Sequence, residues 1–156
     1  MNLPLFLESE EDTLRLGREL ARRTRPGESI FLEGDLGAGK STLARAFVRE
    51  CGWTGPVRSP SYALVHSYPT PSGLVHHLDL YRLGSLEEAV GLDLDTLFAP
   101  DARVLLEWPE RLEGARVPDW HVRLDPQGEG RLARIAAPTP ERAEAILAPP
   151  PKETAP

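Results

Sequence analysis

Hydrophobic and polar positions follow two kinds of pattern in the first fifty residues. Two short apolar runs have the length of strands, and the second is apolar enough to be buried on both faces. Between them, apolar residues line one side of a stretch that begins behind Ser9 and three acidic residues and stops at Pro26 and Gly27. These patterns predict a strand over 3–7, a helix from Ser9 to Arg25, a strand over 29–33 and a helix over 41–50.

Beyond residue 60 the pattern becomes mainly extended. Two turn-rich links, Pro-Thr-Pro-Ser at 69–72 and Asp-Pro-Gln-Gly-Glu-Gly at 125–130, are each flanked by apolar stretches, which is typical of β-hairpins. The elements predicted here are hairpins over 62–80 and 120–136, a buried strand over 103–107 and short helical pieces over 86–90, 94–98 and 141–147. Together with the first half of the chain, they favour an α/β fold.

Composition narrows the class of protein. The 156 residues are 40% hydrophobic and 27% charged, which is typical of a soluble globular chain with one core. The formal net charge of -6 argues against strong binding of nucleic acid by the chain alone. A single cysteine, Cys51, excludes a disulfide framework, and no apolar run or signal peptide indicates a membrane or secreted protein. We therefore expect one cytoplasmic domain over 1–148 with a Pro-rich disordered tail over 149–156.

Residues 34–41 read Gly-Asp-Leu-Gly-Ala-Gly-Lys-Ser and match the phosphate-loop pattern G-x-x-x-x-G-K-S between a predicted strand and a predicted helix. The glycines let backbone N–H groups converge on phosphate oxygens, and the helix adds the positive end of its dipole. Lys40 supplies a positive charge for the β- and γ-phosphates, and Ser41 offers a hydroxyl to Mg²⁺. An ordinary glycine-rich turn is the alternative. The chain's other lysine is Lys152 in the predicted tail, which favours a nucleoside triphosphate site around Lys40.

Hydrolysis of a nucleotide also requires carboxylates that hold Mg²⁺ and orient water. Glu107 follows the apolar run 104–106, and Asp79 ends a segment in which His77, Asp79 and Tyr81 alternate onto one face. A polar stripe of these three residues facing solvent is an equally good interpretation of the pattern. The chain has no N-K-x-D motif for guanine and no transporter signature L-S-G-G-Q, so the expected nucleotide is ATP.

Four short stretches add a family resemblance. They are the phosphate loop with its helix start over 34–45, Ser-Pro-Ser-Tyr-Ala-Leu-Val over 59–65, His-Leu-Asp-Leu-Tyr-Arg-Leu over 77–83 and Leu-Glu-Trp-Pro-Glu over 106–110. In this order they resemble the bacterial TsaE (YjeE) family of small P-loop ATPases, over about residues 3–136. The phosphate loop is common to many families, whereas the H-x-D-L-Y-R and E-W-P-E stretches are far more specific. With the resemblance, the expected fold is a three-layer P-loop domain with a mixed central sheet and added antiparallel hairpin strands.

The resemblance also implies roles for individual residues. Lys40, Asp79 and Glu107 would be catalytic, and Asp79 and Glu107 would hold Mg²⁺ together with Ser41. The residues expected to bind ATP are Thr13, Gly37, Ala38, Gly39, Lys40, Ser41, Thr42 and Trp108. Residues 59–62 would form a switch that senses the γ-phosphate. The family usually has threonine where this chain has Ser41 and Ser61, and both departures keep a hydroxyl.

The family works in the machinery that makes N6-threonylcarbamoyladenosine in tRNA. The resemblance therefore implies that this chain docks on the partner proteins TsaD and TsaB, and that ATP hydrolysis drives their turnover without modifying tRNA directly. The tRNA would be held chiefly by the partners, which agrees with the acidic charge of the chain. Hydrolysis by the isolated chain would be weak.

Two other classes of function stay open on the residues alone. A small-molecule or nucleoside kinase would place arginines over the phosphates, for which Arg111, Arg116 and Arg123 are candidates. Phosphorylation of an added acceptor would favour that reading. A nucleotide-gated binding module with little turnover would tolerate the loss of both Asp79 and Glu107. Neither alternative accounts for the H-x-D-L-Y-R and E-W-P-E stretches.

Overall fold

The computed structural model describes residues 2–58, 64–84, 87–88 and 91–147. We number the elements in chain order. They are β1 (Leu3–Leu7), α1 (Glu10–Arg23), β2 (Ser29–Glu33), α2 (Lys40–Glu50), β3 (Val65–Thr70), β4 (Gly73–Asp79), α3 (Leu94–Leu97), β5 (Ala102–Glu107), a 3-10 helix (Pro109–Leu112), β6 (Trp120–Gln127), β7 (Gly130–Ala136) and α4 (Pro140–Leu147).

The strands form one mixed sheet in the order β1-β7-β6-β2-β5-β4-β3. Its centre is parallel, because β2 pairs in parallel with both β5 and β6, and β5 pairs in parallel with β4. The edges are antiparallel, with β3 beside β4 on one side and β7 and β1 beyond β6 on the other. Each predicted hairpin therefore contributes one strand to the parallel centre and one antiparallel strand outside it. The expected α/β class with a mixed sheet and added hairpin strands is confirmed.

The two faces of the sheet are covered differently. Helices α1, α2 and α4 pack on one face, where the larger core includes Leu20, Phe47 and Ile146 against Ile30 and Leu105 of the strands. Strand residues whose side chains point to the other face of the sheet, such as Phe31 and Leu106, belong to a second and smaller core. In the described part of the chain, this second face is covered by the short α3, the 3-10 helix and connecting segments. The third layer is therefore thin.

Helices α1 and α2 pack at very close range because α1 carries Gly17 at their contact. A Cβ atom at Gly17 would lie 2.4 Å from the carbonyl oxygen of Leu43 and 2.9 Å from Cβ of Ala46. No side chain fits in that space. The glycine therefore fixes α1 against the helix that follows the phosphate loop.

The second hairpin is longer than the sequence pattern predicted. Residues 125–127 belong to β6 and pair with β7, so the turn is only Gly128 and Glu129. Pro126 had indicated a loop because proline has no N–H to donate. A two-residue hairpin closes with a hydrogen-bonded pair, here Gln127 and Gly130. The next pair, Pro126 and Arg131, is then not hydrogen-bonded, so the backbone nitrogen of Pro126 points away from β7. Strand β2 reaches only to Arg123 of β6, so no neighbouring strand lies on that side of Pro126.

The remaining elements agree with the sequence within a few residues, and three predictions fall wholly or partly outside the described residues. These three are the first positions of the hairpin at 62–63, the helical piece over 86–90, of which only 87–88 are described, and the tail over 149–156. The domain bounds accordingly stay a prediction. Within the residues that the structure describes, no helix has both the length and the apolar character needed to cross a bilayer.

Candidate nucleotide-binding site

The glycine-rich loop leaves β2 at Glu33 and enters α2 at Lys40, as the sequence pattern predicts. Gly34 has a φ of +151°, and a Cβ atom there would lie 2.7 Å from the carbonyl oxygen of Leu124 on β6. The loop therefore passes β6 at a distance that only glycine allows. Gly39 occupies the N-cap of α2, so the loop ends at the positive end of this helix.

Lys40 lies at the centre of the site and is buried. Its Nζ donates a hydrogen bond of 2.5 Å to the carbonyl oxygen of Gly34 and lies 3.7 Å from the ring centroid of Trp108. Burial lowers the pKa of Lys40, and the nearby carboxylates of Glu107 and Asp79 oppose this shift. The ammonium group of Lys40 is thus surrounded by a carbonyl of the loop, the face of an aromatic ring and nearby carboxylates.

Asp79 and Glu107 lie next to each other because β4 and β5 are parallel and in register. The two residues are paired at the carboxyl ends of their strands, and the N–H of Leu80 donates to the carbonyl oxygen of Glu107 at 3.2 Å. Asp79 is half-buried, and its Oδ1 accepts a hydrogen bond of 3.0 Å from the N–H of Tyr81. Burial raises the pKa of Asp79, the Tyr81 hydrogen bond opposes this, and the charge of Glu107 adds to it.

Glu107 is held by a histidine on the adjacent strand. Nε2 of His77 lies 2.5 Å from Oε2 of Glu107, and both side chains are buried. The other ring nitrogen of His77, Nδ1, is buried without a hydrogen-bond partner. The interpretation of His77, Asp79 and Tyr81 as a solvent-facing stripe is therefore wrong for His77, because its ring is buried and bonded to Glu107 of β5. Of the three, only Tyr81 is clearly exposed.

Trp108 turns the chain sharply after β5. Its backbone adopts a left-handed conformation with φ +60°, between the end of the strand and the 3-10 helix. The ring packs against Tyr81, with a centroid distance of 4.9 Å and an interplanar angle of 46°, and its face covers Nζ of Lys40. Trp108 is only partly buried. It therefore forms a wall of the site as well as contributing to the smaller core.

These residues surround a cavity of about 260 Å³ beside the loop. Its lining residues are Leu36, Gly37, Gly39, Lys40, Ser41, Thr42, Asp79, Glu107 and Trp108. Ser41, Asp79 and Glu107 offer hydroxyl and carboxylate oxygens, the type of ligand that Mg²⁺ prefers. Within the described residues, no group of three or more His, Cys, Asp and Glu side chains is arranged to hold a metal ion. The donor set fits a magnesium ion that also takes oxygens from phosphate and water.

A second cavity of about 250 Å³ lies against the loop and the start of α1. It shares Gly37, Gly39 and Thr42 with the first cavity. Its other lining residues are Leu7, Glu8, Ser9, Glu10, Thr13, Ala38, Glu129, Gly130 and Arg131. Thr13 and Ala38, both predicted to bind the nucleotide, thus line this cavity and not the one that contains the carboxylates.

Known proteins of similar sequence point to one family. The family model described as "Threonylcarbamoyl adenosine biosynthesis protein TsaE" matches residues 7–135 of the chain. The chain belongs to the TsaE family. A relative from Haemophilus influenzae named "tRNA threonylcarbamoyladenosine biosynthesis protein TsaE" is 33% identical over 144 residues, which cover 88% of this chain and 91% of the relative. A relative of the same name from Aquifex aeolicus is 38% identical over 109 residues, which cover 69% of this chain and 77% of the relative.

The fold is similar to that of a solved structure described as "Crystal structure of Bacillus subtilus YdiB". The TM-score is 0.70 and the identity 25%, over 94% of this chain and 92% of the other. The resemblance of this chain to the TsaE family, which rested on four short stretches, is therefore confirmed over most of its length.

The predicted site residues of this TsaE chain fall into two neighbouring groups joined by the loop. Lys40, Ser41, Asp79, Glu107 and Trp108 come together in one cavity, and Thr13 lies in the other. The predicted switch over 59–62 lies outside the described residues.

Sequence reasoning missed two residues with direct contacts to the site. It did not pair His77 with Glu107, although the motif H-x-D places the histidine on the same face of β4 as Asp79. It did not identify Arg131, which donates hydrogen bonds to the carbonyl oxygens of Gly37 and Ala38. No local signal marks Arg131, because its contacts are with residues more than 90 positions away.

Proposed function

We propose that this TsaE-family chain is the ATP-binding and ATP-hydrolysing subunit of the machinery that makes N6-threonylcarbamoyladenosine in tRNA. One observation supports it above all: Lys40, Ser41, Asp79 and Glu107 line a single cavity beside a glycine-rich loop at the start of a helix. A loop of this kind binds phosphate, and two carboxylates at neighbouring strand ends supply what hydrolysis needs besides phosphate binding.

In this proposal the triphosphate lies along the loop. Backbone N–H groups of the loop and the start of α2 hold the phosphate oxygens, and Lys40 exchanges its bond to the Gly34 carbonyl for the β- and γ-phosphates. Mg²⁺ bound at this site would supply positive charge to offset that of the phosphates. Ser41 and Asp79 would hold it, since Asp79 is the more open of the two acids.

Glu107 would orient the attacking water. Its Oε2 is bonded to His77, and its remaining lone pairs can accept a hydrogen bond from water. The buried histidine thereby restricts the carboxylate to one orientation. The nucleoside would lie in the second cavity, where Thr13 lines the wall next to the loop.

The partners in this proposal are TsaD and TsaB, as the family resemblance implies, and tRNA would be reached only through them. A net charge of -6 on the chain supports an indirect contact with tRNA, because strong binding of nucleic acid requires basic surface. Hydrolysis would drive a conformational step in the complex. For this, ATP and its hydrolysis products must bind two conformations of the complex with different affinities, because only such a difference shifts the equilibrium between them.

The kinase alternative receives less support. It requires arginines that are available over the phosphates, but Arg116 forms an ion pair with Asp95. Arg123 forms ion pairs with Asp125 and Glu33. Two of the three guanidinium groups named for a lid are thus engaged with acids elsewhere.

The decisive experiment measures phosphate release from ATP by the purified chain, alone and with TsaB and TsaD added. We expect weak release alone, stimulation by the partners, and loss of both in Lys40→Ala. Lys152→Ala, a change at the chain's other lysine, serves as the control and should behave like the unchanged chain. Absence of stimulation together with absence of a complex would contradict the proposal, and phosphorylation of an added small acceptor would support the kinase instead.

A further inference from the structure

Arg131 lines the second cavity and contacts the backbone of the phosphate loop. Its Nε donates a hydrogen bond of 3.2 Å to the carbonyl oxygen of Ala38, and one terminal nitrogen donates at 3.2 Å to that of Gly37. The other terminal nitrogen donates at 3.0 Å to the carbonyl oxygen of Gly130. The planar guanidinium thus joins two successive loop carbonyls to the start of β7.

The position of Arg131 in the sheet explains why it can reach the loop. It pairs with Leu7 of β1 and shares a face of β7 with Ala133 and Ile135, which are both buried in the larger core. Its side chain is half-buried. Arg134 lies on the opposite face of the same strand, exposed, where it bonds Asp125. Only Arg131 of these two arginines points toward the loop.

These hydrogen bonds fix the orientation of loop peptides. In a trans peptide the C=O and N–H groups point in opposite directions, and the described residues contain no cis bond. The bond from Arg131 to the Ala38 carbonyl therefore directs the N–H of Gly39 to the opposite side, toward the interior of the loop. The peptide between Gly37 and Ala38 is held at both ends, because the Ala38 N–H also donates to the carbonyl oxygen of Asp35 at 3.0 Å.

We propose that Arg131 is a positioning residue for phosphate binding, which holds the loop in its anion-binding shape through its hydrogen bonds to two loop carbonyls. A cation behind the carbonyls also polarises the peptides, so that their N–H groups attract an anion more strongly. Arginine suits this role because its fork binds two carbonyls at once, whereas lysine offers a single point of charge. The inference rests on the proposed function, since it assumes that the loop binds a nucleoside triphosphate.

The test compares the affinity of the full chain for ATP and for inorganic tripolyphosphate, both with Mg²⁺, by titration calorimetry. We expect Arg131→Gln to lower the affinity for both ligands by a similar factor of about 5- to 30-fold. This is the effect of losing one to two hydrogen bonds from a charged group. Arg131→Lys should restore only part of the affinity. Arg134→Gln, the matched control on the other face of β7, should leave both affinities unchanged. Thermal unfolding of each variant separates a change in stability from a change in affinity.

Three results would overturn the inference. Arg131→Gln could bind both ligands as the unchanged chain does while unfolding at a lower temperature, which would indicate a purely structural role. It could lose affinity for ATP and keep that for tripolyphosphate, which would mean that Arg131 contacts the nucleoside in the second cavity. If the unchanged chain bound neither ligand, the proposed function would fail and the inference with it. The first two results leave the proposed function standing.

Discussion

Nε2 of His77 lies 2.5 Å from Oε2 of Glu107, across two adjacent parallel strands in the interior of the protein. An ionised Glu107 only accepts hydrogen bonds, so His77 must carry its proton on Nε2 when it donates. Nδ1 of the same ring is buried without a hydrogen-bond partner. The pair therefore holds the histidine ring and the carboxylate in a fixed orientation relative to each other.

Removal of the His77 donor should impair catalysis more than binding. We expect His77→Leu to lower kcat for ATP hydrolysis by about 10- to 100-fold, the range found when a residue that orients a catalytic ligand is removed. The affinity for ATP should stay within about 3-fold, because His77 contacts no loop residue that binds phosphate in our proposal. Steady-state kinetics in the presence of TsaB and TsaD, with calorimetric titration of ATP, measure the two quantities.

His77→Gln is the matched variant, since its amide N–H can occupy nearly the place of Nε2. It should recover much of the kcat that His77→Leu loses. Equal losses in the two variants would contradict a role for the hydrogen bond and would leave only the packing of the ring.

Variants of Asp79 and Glu107 should differ in how their rate of ATP hydrolysis depends on the Mg²⁺ concentration. Asp79→Asn and Glu107→Gln should each lower kcat by about 100-fold or more, as expected for groups that act on the reacting atoms. Only Asp79→Asn should also raise the Mg²⁺ concentration needed for half-maximal rate, because in our proposal Glu107 is hydrogen-bonded to His77 and acts on water. A magnesium titration of the rate distinguishes them, and the reverse pattern would exchange the two roles.

Ser41 should act through its hydroxyl alone. Ser41→Ala should raise the half-activating Mg²⁺ concentration by about 10-fold, since it removes one ligand of the ion. Ser41→Thr keeps the hydroxyl and should stay close to the unchanged chain. If Ser41→Ala needed no more Mg²⁺ than Ser41→Thr, the hydroxyl would not be a ligand.

The C-terminal helix α4 is anchored by a charged pair at the opposite end of β2. Arg142 donates to both carboxylate oxygens of Glu28 at 2.6 and 2.7 Å, and its guanidinium lies 5.1 Å from the ring centroid of Trp120. Both side chains are largely buried. Arg142→Met should therefore lower the free energy of unfolding by about 2–3 kcal/mol.

Arg18→Met is the control for this prediction, because its ion pair with Glu11 is exposed. It should change the free energy of unfolding by less than about 0.5 kcal/mol in urea denaturation. Similar values for Arg142→Met and Arg18→Met would contradict an anchoring role for the Glu28 pair.

The contribution of Glu28 to stability should disappear in acid. Burial raises the pKa of this carboxyl, but hydrogen bonds from Arg142, the Arg25 N–H and Trp120 together outweigh burial and lower it below 4.5. A lowered pKa in the folded state means that the stabilisation is present above pH 4.5 and is lost as the pH falls through the folded value. The difference in free energy of unfolding between the unchanged chain and Glu28→Gln should therefore shrink as the pH falls below 4.5. A difference that stayed constant over this range would contradict the assignment.

Much of the candidate site could be predicted because its parts are local in sequence. The loop over 34–41 needs glycines, a lysine and a hydroxyl at fixed offsets, and the flanking apolar runs identify the strand before it and the helix after it. Asp79 and Glu107 were recognisable as acids at the ends of apolar segments. Pro126 misled the prediction of a turn, because the cost of proline in a strand depends on whether a neighbouring strand reaches it.

The sequence by itself determined the phosphate loop, the succession of strands and helices along the chain, and the family. Each of these depends on residue types at short, fixed spacing. Only the tertiary structure decided which polar groups meet. The parallel register of β4 and β5 brings His77 to Glu107, and the pairing of β7 with β1 at the sheet edge brings Arg131 to the loop. A pattern of alternating polar and apolar residues indicates which face of a strand a side chain occupies. What covers that face depends on strands and helices that are distant in sequence.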